Sequence, residues 1–329
     1  MLSEEEKEVL RNQDPYDFEC IFYEELESWL SQDIACCDNC YDDFIKDWPY
    51  AYSSENCKFQ TNSMPLDCFY SGSHLREFYS ETDFSKYIQL IDCPRCGHSL
   101  TYNLWAYELP FDVVDGFELK VKELSELITI TPFLVLSHPF AQEVLSAITS
   151  LSKKIDKVKV NSKLFRARTN LSDNDVRDSS FDFAPQDVVR DGRYNHAGYP
   201  VLYCSFDAET CVEELRNESC HVATINCNEE MRIMDLTDPY EANHEYSDLL
   251  NSLVYSSLLS AKCEGNGYYK PEYLFSRFLS DCARQVGFDA IQFPSTRMQK
   301  NSWNLVILNR EISIGNGLDV IDIKYHPKL

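Results

Sequence analysis

Hydrophobic residues near the start of the chain recur mostly three and four positions apart, which is the spacing of an amphipathic helix. This pattern covers residues 4–34, with a break at Pro15. It returns at 117–127 and at 139–154. The stretch between these regions, up to about Thr101, carries many cysteines and is expected to be rich in loops. The first half of the chain is therefore predicted to be mostly helical.

Beyond a polar segment at 153–159 the pattern changes to short apolar runs, which are typical of strands. Strands are expected at 164–168, 201–205, 221–227, 231–236, 290–293, 304–308 and 318–323. Helices are expected between them at 207–216, 246–262 and 271–286. This order predicts an α+β chain, with a mixed α/β domain over 159–329 that follows a mostly helical domain over 1–158.

The length and charge of the chain narrow the classes of function. A chain of 329 residues exceeds the size at which a single core is typical, so two domains are expected. The net charge of -24 argues against broad binding to nucleic acid, although a few arginines can still hold one dinucleotide. The sequence has no run of about twenty apolar residues and its N-terminus is acidic, which predicts a cytoplasmic protein that does not bind membranes.

Fourteen cysteines in a chain of this length favour reduced thiols and a metal site over a disulfide scaffold. Two Cys-x-x-Cys pairs supply Cys37, Cys40, Cys93 and Cys96. Two such knuckles suit tetrahedral zinc, and four protein ligands leave no open position, so the predicted site is structural. Other side chains could substitute in the shell, namely Cys36, Cys57, Cys68 and His98. The alternative is a set of buried, inert thiols.

Arginines and a glycine-bracketed loop are candidate ligand groups in the second half. Arg166 and Arg168 lie two positions apart on a predicted strand, so they share one face and could grip a diphosphate. Pairing with surface acids is the alternative. The loop at 192–198 contains Arg193, Tyr194 and Asn195, whose polar groups can donate to sugar or phosphate oxygens.

A carboxylate and a hydroxyl complete the set of candidates. Tyr203 ends a predicted strand, and Glu214 follows eleven residues later on a helix. Glu213 and Glu214 point about 100° apart on the helix, so only one of them is expected to enter a site. The other is expected to face solvent at the end of the helix. Ser295 has no adjacent base in the sequence, which favours a hydrogen-bonding role over a nucleophilic one.

With these segments in view, residues 161 to about 310 resemble the RES domain, named for Arg, Glu and Ser and found in toxins of RES/Xre toxin–antitoxin pairs. The resemblance is carried by the segments 164–166, 192–195 with Gly198, 201–203, 210–216, 287–291, 294–295 and 304–306. The cysteine-bearing helical region before it resembles the HEPN/RES N-terminal domain of one subgroup. Residues 1–160 lack the Arg-x4-His spacing of HEPN ribonucleases, so RNA cleavage is not expected there.

The resemblance implies a fold similar to that of diphtheria-toxin-type ADP-ribosyltransferases and an enzyme that degrades NAD. It assigns Arg166 to the NAD phosphates, Tyr203 to nicotinamide, Glu214 to catalysis and Ser295 to the nicotinamide ribose. Arg193 and Asn195 would complete the pocket, and Arg168 and Tyr194 are further candidates for NAD binding. Two positions depart from the family pattern, Asp191 in place of a glycine and Arg277 in place of a glutamine.

The leading hypothesis is therefore an NAD glycohydrolase or phosphorylase that acts as a growth-inhibiting toxin, with a cognate antitoxin as a possible partner. A mono-ADP-ribosyltransferase acting on a protein would use the same pocket. A non-catalytic, zinc-stabilised module that binds NAD or protein is a third possibility. The acceptor and the oligomeric state stay open at this point.

Overall fold

The computed structural model describes most of the chain and divides it into two compact units. The described residues are 3–30, 32–42, 58–59, 62–93, 96–108, 114, 117–215, 218–237, 246–259, 273–295 and 302–328. The units are Met1–Pro110 and Phe111–Leu329. The expected coarse architecture, a helical N-terminal region followed by a sheet domain, is confirmed. The domain boundary between 158 and 159 stays a prediction; the helices between 117 and 152 lie in the second unit.

The first unit combines helices with a small antiparallel sheet. Its helices are α1 (Glu4–Gln13), α2 (Phe18–Leu30), α3 (Leu66–Gly72), α4 (Leu75–Phe78) and α5 (Glu81–Tyr87). Its strands are β1 (Gln32–Cys37), β2 (Lys58–Phe59) and β3 (Leu104–Glu108), in the order β1-β3-β2. Residues 32–34 were expected to continue the helix and instead pair with 106–108 of β3. The helical period could not reveal this pairing, because the partner strand lies about seventy residues away in the sequence.

The second unit alternates helices and strands. Its helices are α6 (Phe117–Ile130), α7 (Pro139–Ser152), α8 (Ala208–Glu214), α9 (Ser247–Leu259) and α10 (Leu274–Gln285). Its strands are β4 (Val158–Lys159), β5 (Leu164–Thr169), β6 (Leu202–Ser205), β7 (Cys220–Cys227), β8 (Glu230–Met231), β9 (Ile233–Asp235), β10 (Ala290–Pro294), β11 (Trp303–Ile307), β12 (Ser313–Ile314) and β13 (Gly317–His326). Gly287 follows the end of α10 with a φ of 89°, a conformation that favours glycine after a helix. Residues 216, 260–262, 271 and 272, which were expected to be helical, lie outside the described residues.

One large sheet organises this unit. Its eight strands run in the order β12-β13-β7-β5-β6-β11-β10-β9. The pairs β9–β10 and β12–β13 are parallel, and the others are antiparallel. β5 lies between β7 and β6 at the centre of the sheet, so segments distant in the sequence come together there.

The two faces of the sheet bury different residues, which decides where the candidate side chains point. One face carries the larger hydrophobic cluster, which includes Leu164, Leu202 and Cys204. The other face carries a smaller cluster, in which Cys211 and Val212 of α8 pack against side chains of β5 and β7. Since side chains alternate along a strand, Tyr203 and Ser205 of β6 lie on the α8 face.

In the described part of the chain, no helix is both long enough and apolar enough to span a bilayer.

Candidate active site and cysteine cluster

Glu214 lies at the end of α8, where neighbouring strands supply hydrogen-bond donors. The helix begins at the N-cap Asp207, whose side chain accepts from the Thr210 amide at 2.8 Å. At the other end, Oε1 of Glu214 accepts from Ser295 Oγ at 2.9 Å and from Asn304 Nδ2 at 2.8 Å. Two convergent donors therefore fix the position of this carboxylate.

The donors to Glu214 are themselves held in place by the sheet. Ser295 follows β10 and is fully buried, and its amide donates to the Ser302 carbonyl at 2.9 Å. Asn304 is 4% exposed and its Oδ1 accepts from Ser205 Oγ. In the sequence Asn304 belongs only to the segment 304–306 that carries the resemblance. Nothing local to it indicates that it faces Glu214. The register between β11 and β6, in which Asn304 pairs with Ser205, makes this contact.

The loop that contains Tyr194 and Asn195 is tied to Tyr203 of β6. The Tyr203 hydroxyl donates to Asn195 Oδ1 at 3.1 Å and accepts from the Tyr194 amide at 2.9 Å. Asn195 Nδ2 also donates to the Arg190 carbonyl at 2.9 Å. At Gly192 a Cβ atom would overlap Asn195 Oδ1 and the Tyr203 hydroxyl, so this position requires glycine. The loop and the strand thus form one hydrogen-bonded unit.

Arg193 brings a positive charge toward Glu214 among aromatic rings. Its guanidinium carbon lies 5.7 Å from the Tyr273 ring centre and 5.5 Å from that of Phe293. Burial lowers the pKa of Arg193, but its neighbours Tyr194, Tyr273 and Glu214 outweigh this effect, so the net shift is upward. Of these neighbours Glu214 is the carboxylate. The arrangement therefore places a permanent cation near the carboxylate.

The two tyrosines of this region are buried to different extents. Tyr194 is fully buried, with its ring 4.6 Å from that of Phe293. Its hydroxyl has no hydrogen-bond partner among the described residues. Tyr203 retains partial exposure. Burial raises the pKa of both phenols well above the usual range, so both stay neutral in the physiological range. Of the two, Tyr203 has the surface to contact a ligand.

Arg166 and Arg168 are engaged with the backbone. Arg166 donates through Nη1 to the Tyr203 carbonyl at 2.8 Å and through Nη2 to the Asp182 carbonyl at 3.3 Å. Arg168 donates to the same Asp182 carbonyl at 3.0 Å. Both lie on the face of β5 that carries Leu164, whereas α8 packs on the other face. These bonds connect Arg166 to the main chain of Tyr203, not to the side chains around Glu214.

Both guanidinium groups keep a buried Nε with no hydrogen-bond partner among the described residues. Burial lowers the pKa of Arg166, and it lowers that of Arg168 to about 10 with a further contribution from the Arg166 charge. Both side chains stay cationic at neutral pH. The structure therefore retains two adjacent positive charges on one face of β5 that backbone carbonyls only partly balance.

The four predicted cysteine ligands lie together in the first unit. The Sγ atoms of Cys37 and Cys40 are 3.9 Å apart, and those of Cys37 and Cys96 and of Cys40 and Cys93 are both 3.7 Å apart. All four lie within 4.8 Å of one another. Tetrahedral zinc with Zn–S bonds of about 2.3 Å separates its sulfur ligands by about 3.8 Å, so this cluster has the dimensions of a metal site.

Local turns aim these sulfurs at one point. The Cys40 amide donates to the Cys37 carbonyl at 2.9 Å and the Gly97 amide to the Cys93 carbonyl at 2.8 Å, with Gly97 at a φ of 69°. Burial and the neighbouring Cys93 raise the pKa of Cys37 to about 11. Four thiolates this close repel one another, so a bound cation would favour their ionised form. Of the substitute ligands considered above, Cys36 is buried, Cys68 and His98 are exposed, and Cys57 lies outside the described residues.

Comparison with known proteins finds similarity to one family within the second unit. The model of the RES domain family matches residues 163–318. Putative toxin YopC of Bacillus subtilis (strain 168) is 23% identical over 155 residues, which cover 40% of this chain and 35% of that protein. A chain in the crystal structure of the M. tuberculosis MbcT–MbcA toxin–antitoxin complex superimposes with a TM-score of 0.36 and 10% identity, over 55% of this chain and 93% of its own length.

Proposed function

Because the RES domain model matches residues 163–318, we propose that this chain is an enzyme that degrades NAD by cleaving the nicotinamide–ribose bond. The observation that carries the proposal is the Glu214 carboxylate, which accepts from Ser295 and Asn304 and lies near the Arg193 cation. The sheet around it would then have the ADP-ribosyltransferase-like fold that the resemblance implies. Glycohydrolase and phosphorylase activities share this bond cleavage and differ in the acceptor.

The chemistry suits such a carboxylate. Breaking the nicotinamide–ribose bond develops positive charge on the ribose ring, as in glycoside hydrolysis. A preorganised anion beside that ring stabilises the charge, and Glu214 supplies it. Since two donors already fix Oε1, little reorganisation accompanies the reaction. Ser295 thus acts by holding the carboxylate and the ribose region, and not as a nucleophile.

The remaining pocket groups take the roles of substrate contacts. Arg193 and Asn195 would donate to phosphate and sugar oxygens, and the partly exposed Tyr203 would stack near nicotinamide. Arg166 and Arg168 would add positive potential toward the diphosphate, because their charges are only partly balanced by carbonyls. Tyr194 would line the pocket through Phe293 without contacting the ligand directly. NAD depletion in the cytoplasm would make the protein a growth-inhibiting toxin, with a cognate antitoxin as its partner.

A nicotinamide-release assay tests the activity. Purified protein is incubated with NAD, with and without inorganic phosphate, and the products are separated by chromatography. Release only with phosphate assigns a phosphorylase, and equal release under both conditions assigns a hydrolase. Transfer of the ADP-ribose label to a protein would assign a mono-ADP-ribosyltransferase instead. Intact NAD under every condition, with folded protein, would reject the proposal.

For the first unit we propose that Cys37, Cys40, Cys93 and Cys96 hold one structural zinc ion. The near-tetrahedral sulfur spacing supports this assignment. Structural zinc contributes about 10–16 kcal/mol to small metal-stabilised folds, so loss of one ligand should unfold the surrounding segment.

Zinc content by atomic absorption, together with limited proteolysis, tests this assignment. Cys93→Ser is expected to lose the metal and to make the strands β1 and β3 accessible to protease. Cys68→Ser is the matched control, because Cys68 is exposed and outside the cluster. Equal zinc content in the two variants would contradict the assignment.

A further inference from the structure

The first turn of α10 contacts the backbone of the loop that carries Arg193. Ser276 Oγ donates to the Arg193 carbonyl at 2.6 Å, and Arg277 Nε donates to the Gly192 carbonyl at 2.9 Å. Tyr273, the N-cap residue of α10, places its ring near the Arg193 guanidinium. Residues three and four apart share one face of a helix, so a single face of α10 meets the loop at three points.

Arg277 is an unusual residue for this contact because it buries a charge. The residue is 5% exposed. Its Nη1 lies 3.9 Å from the carboxylate of Asp191, which is 35% exposed, and its Nη2 is buried without a hydrogen-bond partner among the described residues. Desolvating a guanidinium that is only partly compensated is unfavourable. An apolar side chain of similar volume is often neutral or stabilising at such a position, so stability does not explain the arginine.

We propose that Arg277 is a positioning residue of the NAD pocket, an inference that rests on the proposed function. By donating to the Gly192 carbonyl it fixes the start of the loop. The loop in turn directs the Arg193 side chain toward Glu214 and holds Asn195 against Tyr203. Arg277 does not contact the substrate; it acts through Arg193 and Asn195, which do.

The test compares Arg277→Met with Arg284→Met, a matched control seven residues later on the same helix. Arg284 is half-buried and its Nε also has no hydrogen-bond partner among the described residues, where no hydrogen bond joins its side chain to the loop. Arg277→Met should keep or raise the melting temperature, because a buried charge is replaced by an apolar chain. It should raise KM for NAD about tenfold with kcat changed less than about threefold, since ground-state and transition-state contacts of the loop weaken together.

Arg284→Met should leave both constants unchanged. Arg277→Lys should recover only part of the affinity, because an ammonium restores the charge but not the fork that reaches Gly192 and Asp191 together. A wild-type KM in Arg277→Met would overturn the inference.

A second readout separates this inference from the proposed function. If the wild-type protein leaves NAD intact, the proposed function fails, and amide hydrogen exchange then decides the role of Arg277. The Gly192 amide donates to the Asn195 carbonyl at 2.9 Å and the Tyr194 amide to the Tyr203 hydroxyl at 2.9 Å. If these amides exchange about tenfold faster in Arg277→Met than in Arg284→Met, Arg277 positions the loop. Equal rates in the two variants overturn it.

Discussion

Two carboxylates of the sheet domain, Asp289 and Glu214, show how the same group can serve structure or chemistry. Asp289 is 5% exposed. Its Oδ2 accepts from the Arg232 amide at 2.8 Å and lies 3.1 Å from Lys157 Nζ, while its Oδ1 accepts from Asn309 Nδ2 at 2.8 Å. Both oxygens are thus engaged by donors from separate segments. Asp289 joins those segments and stabilises the fold.

Glu214 is arranged differently. It lies at a helix end with partial exposure, and the hydrogen bonds from Ser295 and Asn304 converge on Oε1. These two donors are neutral, and the Arg193 cation lies nearby in the pocket. A carboxylate oriented by convergent donors at a partly exposed helix end can stabilise charge that develops on a bound ligand. The comparison therefore predicts that changes at Asp289 act on stability and changes at Glu214 act on turnover.

The largest expected effect is at Glu214. Glu214→Gln keeps the shape of the side chain and removes its charge, so nicotinamide release should fall by about 10² or more. The melting temperature should change little, because the amide oxygen can still accept from Ser295 and Asn304. Release and thermal unfolding are measured on the same preparation. A variant with near wild-type release would remove Glu214 from the mechanism.

A smaller effect is expected at Asn304. Asn304→Ala removes one of the donors to Glu214 Oε1, so kcat should fall about tenfold, the size of one lost charge-assisted hydrogen bond. Asn309→Ala is the matched control, because it removes the same kind of donor from Asp289. It should lower stability and leave kcat unchanged. If the two variants lose activity equally, the distinction between the carboxylates fails.

The smallest change in activity is expected at Asp289, where stability responds instead. Asp289→Asn should lower the free energy of unfolding by about 2 kcal/mol at neutral pH and leave kcat intact. Burial raises the pKa of Asp289, but hydrogen bonds from the Arg232 amide and Asn309 and the Lys157 charge outweigh it and lower the pKa below its usual value.

A lowered folded-state pKa gives a stabilisation that is complete above the unfolded pKa of about 4 and is lost as the pH falls through the folded value. The difference in stability between wild type and Asp289→Asn should therefore be constant from about pH 5 to 8 and shrink below about pH 4. Denaturant unfolding at a series of pH values measures it. A difference that persists into acid would show that Asp289 acts without its charge.

Features of the fold that depend on local interactions were predicted from the sequence, and those that depend on distant partners were not. The helical period located α1, α2, α6 and α7, because helical hydrogen bonds and side-chain faces are set within a few residues. It missed β1, whose partner is distant. The spacing of Cys37, Cys40, Cys93 and Cys96 predicted a cluster that the structure brings together, since each turn orients its own two sulfurs.

The arginines show the limit of this reasoning. Alternation along a strand predicted that Arg166 and Arg168 share one face, and they do, but it could not show that the Asp182 carbonyl accepts from both. Asn304 and Arg277 gave no local signal of their contacts, because those contacts depend on strand register and on where α10 packs.

The sequence by itself determined the periodicity of the helices and strands, the two cysteine knuckles and the match of residues 163–318 to the RES domain model, since each of these is encoded in short segments and their order along the chain. Only the tertiary structure decided that Glu214 meets Ser295 and Asn304, and that Arg193 lies near that carboxylate. These contacts join segments up to ninety residues apart. Strand register and sheet face place them, and neither is written in any one segment.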